Sequence, residues 1–108
     1  VNFKRFREVQ GEDAELCERK NRAYGDKNLT RFGPRGLVVR MTDKMERLIN
    51  LVWNGKKGGD ETAIETARDM ENYAVLLVMA IEGSLVEGER ADDEKEKRTR
   101  PRRRRSGR

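Results

Sequence analysis

Histidine is missing from this chain, and cysteine occurs once, as Cys17. These two shortages exclude an intramolecular disulfide, a Cys/His zinc site and nucleophilic catalysis of the Ser-His or Cys-His kind within one chain. Proline occurs twice, and aromatic residues make up 6 % of the 108 residues. Hydrophobic residues reach only 34 %, against 42 % charged. So thin an apolar supply predicts a small core, completed by a partner chain. No apolar run approaches the roughly 18 residues of a membrane span. The opening VNFKRFREVQ has no secretory apolar region. Neither a P-loop nor a GxGxxG motif occurs. These features point to a reducing, cytoplasmic setting. The initial Val, as a GTG start codon would give, points to a bacterial or phage gene.

What is abundant is charge, and its placement matters more than its sum. The net charge is +5. Residues 91 to 108, ADDEKEKRTRPRRRRSGR, hold nine Lys/Arg and four Asp/Glu, so the whole excess lies there and the rest is neutral. A neutral body argues against a folded nucleic-acid reader, whose footprint is a basic face of the domain itself. The tail, 89 to 108, reads as solvated and mobile. Its run Arg102, Arg103, Arg104 and Arg105 is suited to sequence-blind contact with nucleic acid or an acidic partner.

The remaining residues, 1 to 88, predict one all-α domain of three main helices. The first spans 3 to 23, with a poor stripe and an opening for a break at Gly11, and Gly25 stops it. The second has Pro34 in its first turn. Its apolar face is Val38, Met41, Met45, Leu48 and Val52, widened by Leu37 and Ile49. NGKKGGD (54 to 60) is a turn, with Trp53 before it as packing at a helix end. The third helix begins near Asp60 or Thr62, with Thr62 and Glu65 as a capping box. Its stripe is Ala63, Ala67, Met70, Ala74, Leu77 and Ile81. From Tyr73 to Ile81 it is apolar nearly all round, which predicts the most buried stretch and a homodimer or tetramer.

The chemistry concentrates in two helical rows and one connector. Arg40, Lys44 and Arg47 form a basic row beside the second helix's stripe. Thr62, Thr66, Asp69 and Tyr73 form a carboxylate-and-hydroxyl row beside the third's, with Glu65 and Asn72 adjacent. If the rows face each other, two readings stand. One is interhelical ion pairing that fixes register. The other is a nucleotide site in which the cations take phosphate, and Asp69 with Glu65 holds Mg²⁺ or the ligand's hydroxyls. The connector YGDKNLTRFGPRG has the usual turn residues. It also places Tyr24, Gly25, Asp26, Asn28, Arg31 and Arg35 directly before the basic row. That favours the nucleotide reading, with Tyr24 and Tyr73 stacking or donating a hydrogen bond.

Across roughly residues 20 to 83, AYGDKNLTRFGPRGLVVRMTDKMERLINL and DETAIETARDMENYAVLLVMAIEG resemble the phage and bacterial nucleotide-modification-associated domain family. The shared pattern is the loop Tyr24-Gly25-Asp26, the Lys44-x-x-Arg47 pair, and Asp69-x-x-Asn72-Tyr73. The resemblance implies a phage-encoded protein of nucleotide metabolism or modification that sequesters or processes a nucleotide. A more distant likeness is to the MazG-type all-α nucleotide pyrophosphohydrolases, which are helical dimers or tetramers. It implies phosphohydrolase-like chemistry with Mg²⁺. The chain departs from that family's acidic metal motif at Lys44, Arg47 and Thr66. The other class of function is a non-enzymatic helical interaction protein acting through its Arg-rich tail.

Overall fold

The computed structural model describes residues 1 to 55 and 59 to 86. The predicted basic tail and Gly88 lie outside them. The described residues are all helical in architecture: α1 (Phe3–Tyr24), a one-turn α2 (Lys27–Thr30), α3 (Gly33–Leu48) running into a π-helical turn (Ile49–Trp53), and α4 (Gly59–Glu82). α3 and α4 form the closest pair, α1 lies on α4, and α2 on α3.

Local chemistry explains the boundaries. The Asn2 side chain accepts the Arg5 N–H at 3.0 Å and caps α1. The helix passes through Gly11 unbroken, because one exposed glycine costs only about 1 kcal/mol in a helix of this length. It ends at Gly25, whose φ of 82° suits only glycine, with the Gly25 N–H on the Asn21 carbonyl at 2.7 Å. The connector is not a plain loop, since α2 occupies it. Pro34 stands in the first turn of α3. Gly36 is required there by space: a Cβ would lie 2.7 Å from that of Phe32. The glycines of this segment therefore serve the path of the chain. α4 starts at Gly59, ahead of the predicted point, so Thr62 is inside the helix and forms no capping box. Its carbonyl instead accepts the Thr66 hydroxyl at 2.8 Å.

The inner faces differ from the predicted stripes. On α3 the buried residue is Leu37, with Met41, Lys44 and Leu48 half-buried along the same line, while Val38, Met45 and Val52 are exposed. On α4 the buried residues are Thr66 and Leu76, on the line through Thr62, Asp69 and Tyr73. The row predicted to flank the α4 stripe is thus the one turned inward. Thr66 tolerates this because its hydroxyl is satisfied within its own helix. The apolar arcs of both helices are wider than one neighbour can cover, and packing settles on one edge of each. The stretch from Tyr73 to Ile81 is therefore not uniformly buried: Val75, Val78 and Ile81 are 53 %, 60 % and 72 % exposed. Trp53 does not pack at its helix end either, being 85 % exposed. The buried apolar side chains among the described residues are Leu37 and Leu76.

Candidate functional site

Four elements meet at a polar pocket of 220 Å³. Cys17, Lys20, Asn21 and Tyr24 come from α1 at i, i+3, i+4 and i+7, which is one helical face. Asn28 comes from α2, Lys44 from α3, and Asp69, Asn72 and Tyr73 from α4.

At its centre one carboxylate serves two ammonium groups. Lys20 Nζ lies 3.0 Å from Asp69 Oδ1, and Lys44 Nζ lies 3.0 Å from Asp69 Oδ2. The Asp69 side chain is 20 % exposed and that of Lys44 26 %. Burial acts to raise the Asp69 pKa. The hydrogen bonds from Lys44 and Lys20, with their charges, outweigh it and hold the carboxyl below its usual value. Arg40 stands beside this group. Its Nη2 donates to the Asn28 carbonyl at 2.7 Å, and its guanidinium lies 6.0 Å from the centroid of the Tyr73 ring. Arg40 thereby ties α2 to α3 and steadies one wall.

Of the predicted ligand-binding residues, Tyr24, Asn28, Lys44, Asp69, Asn72 and Tyr73 line this pocket, and Arg40 contacts two of them. Gly25 is the turn that ends α1. Asp26 lies on an adjoining cavity and accepts Asn21 Nδ2 at 2.8 Å. Arg47 is exposed and lines neither cavity. Glu65 is exposed and away from the pocket, and no metal-holding group of three acidic, His or Cys side chains occurs among the described residues. Both Asp69 oxygens already face ammonium groups, a poor donor set for Mg²⁺. Cys17 borders the pocket as a free thiol whose pKa burial pushes up, which makes it a weak nucleophile.

Lys20 escaped the sequence reading because α1 has so poor an apolar stripe. The line Cys17, Lys20, Asn21, Tyr24 was the available signal.

A second charged cluster, at the middle of α1, was also missed. Asp13 is 1 % exposed and accepts Arg68 Nη1. Arg68 Nη2 reaches Glu12 at 3.0 Å, and Arg5 Nη1 reaches Glu12 at 2.9 Å. Glu71 joins from α4. Its hydrogen bond with the Asp13 carboxyl, burial and the Asp13 charge together raise its pKa, against Arg68.

No family model, curated protein or solved structure matches the chain.

Proposed function

We propose that the pocket between α1, α3 and α4 holds the phosphate of a nucleotide, and that the chain is a nucleotide-binding protein of nucleotide metabolism or modification. The observation that carries this reading is the pair Lys20 and Lys44 on opposite oxygens of Asp69 in an open pocket. One carboxylate does not neutralise two ammonium groups. With Arg40 adjacent, the pocket has an excess of positive charge and free N–H donors, which phosphate oxygens satisfy. Tyr24 and Tyr73 add flat faces beside it. Asp69 holds both ammonium groups at 3.0 Å, so a phosphate enters a site already arranged.

Mass spectrometry of small molecules released from the purified protein tests this directly. A nucleotide or phosphorylated derivative is the expected finding, and its binding survives removal of residues 89 to 108. The alternative, a helical interaction protein acting through its tail, is favoured by the confinement of all excess charge to that tail. It requires instead that the only polyanion binding be non-specific, steeply salt-dependent and lost with the tail.

The same proposal includes a homodimer or tetramer built on α4. Its support is the exposed pair Val78 and Ile81 beside a core in which, among the described residues, Leu37 and Leu76 are the buried apolar side chains. Val78→Asp, at a position already exposed in the single chain, lowers the mass seen by light scattering. A monomeric wild type at micromolar concentration contradicts the assembly.

A further inference from the structure

We infer that the apolar slot beside the lysine pocket takes the base of the nucleotide and selects one with an amino-bearing, hydrogen-donating edge, guanine above all. This rests on the reading of the lysine pocket as a phosphate site.

The slot is a cavity of 330 Å³, at the small end of the ~300–1,000 Å³ typical of small-molecule sites. Val75, Leu76 and Met79 of α4 form one wall, and Leu29 and Leu85 contribute to the rest. Cys17, Asn21, Leu29, Asn72 and Leu76 line both the slot and the lysine pocket, so the two are halves of one groove. One half is cationic and the other apolar, which is the division of a nucleotide into phosphate and base.

Specificity comes from Asn21, on the border between the halves. Its Nδ2 donates to Asp26 Oδ1 at 2.8 Å. That bond fixes which end of the amide is which, because turning it over would set two acceptors against each other. The Asn21 Oδ1 is therefore the free end, and it is buried with no hydrogen-bond partner. A buried acceptor left in this state carries an uncompensated desolvation cost that a ligand donor removes. Asp26, on the slot's edge, supplies a second acceptor. Two neighbouring acceptors call for two neighbouring donors. Guanine has them in N1–H and its 2-amino group. Adenine and cytosine set an amino group beside a ring acceptor. Uracil flanks its one N–H with two carbonyl oxygens, which would oppose Asp26.

Isothermal titration of the full chain with guanosine, inosine, adenosine and uridine monophosphates and with ribose phosphate tests the inference. Guanosine monophosphate is expected to bind about tenfold tighter than the inosine compound, which lacks the amino group, and tighter than the other two nucleotides. Asn21→Ala and, separately, Asp26→Asn abolish the preference for guanosine over inosine monophosphate. Met79→Trp, which fills the slot, brings every nucleotide down to the level of ribose phosphate. Equal affinity for all five ligands, lost in Lys44→Ala, overturns the base slot and leaves the phosphate site standing. So does tighter binding of adenosine or uridine monophosphate. Failure of all five to bind removes the phosphate reading and this inference together.

Discussion

Two clusters of charge lie along α1, one at its middle and one toward its C-terminal end, and they are built on different principles. Around Asp13 the cations are matched by carboxylates: Arg68 spans Asp13 and Glu12, and Arg5 also pairs with Glu12, while the adjoining Glu71 keeps one buried carboxylate oxygen without a partner. Every cation there has a carboxylate, and the innermost carboxylate is 1 % exposed. Around Asp69 the charges do not close. Two lysines share one carboxylate, and their remaining donors face an open pocket. A closed network fixes how two helices meet. An open one retains capacity for something that is not part of the chain.

Removing a member of each cluster breaks the comparison most forcefully. Asp13→Ala takes the buried partner from Arg68 and is expected to lower stability in urea denaturation by more than an ordinary surface substitution does. Arg68→Met strands the buried carboxylate and lowers the melting temperature as well. A loss confined to a few tenths, as at an ordinary surface position, contradicts the structural role of this cluster.

At the other cluster the effect moves from stability to binding. Lys20→Ala and Lys44→Ala each weaken nucleotide binding by roughly 1.5–3 kcal/mol, the worth of a charge-assisted hydrogen bond. Stability changes by less than about 1 kcal/mol, because these are partly exposed pairs.

The smallest effects are in pH dependence, and they have opposite signs. The Asp69 carboxyl is held down in the folded state. Its contribution is present above the ordinary value of about 4 and is lost as pH falls through the folded value. Asp69→Asn flattens that acid limb. The Glu71 carboxyl is held up. Its contribution is complete below about 4 and is lost as pH rises through the raised folded value. Glu71→Gln, a permanent donor to Asp13, therefore raises the melting temperature at neutral pH and changes it little at acidic pH. An identical pH response of the two variants would erase the distinction.

The sequence carried the helices well, because Gly25, Pro34 and the apolar spacings act locally. It also marked a basic row on α3 and an acidic row on α4 that could face each other, and in the structure Lys44 meets Asp69 and Arg40 stands by Tyr73. It failed on which edge of each apolar arc turns inward. Periodicity finds the widest arc, whereas packing chose the line of Thr66 and Leu76, where a small, internally bonded hydroxyl permits close approach. It failed on Lys20 and Asp13 for a different reason. α1 is polar along most of its length, so its partners are fixed by long-range ion pairs that no local pattern announces. The sequence sets Lys44 and Asp69 between ion pairing and a ligand site, with the connector favouring the ligand. The pair exists in the structure, and the second lysine is what sets it apart from a simple bridge.

The most direct test of the central claim is titration of a nucleoside triphosphate into wild type and Lys44→Ala, with the melting temperature of each and of the Asp69→Ala and double variants. The account predicts saturable binding to wild type, at least about tenfold weaker binding to Lys44→Ala, and a melting temperature that barely moves in that variant. Unchanged binding contradicts it. So does a large fall in melting temperature for both single variants with the double variant no worse than either, since Lys44 and Asp69 would then be an internal ion pair and nothing more.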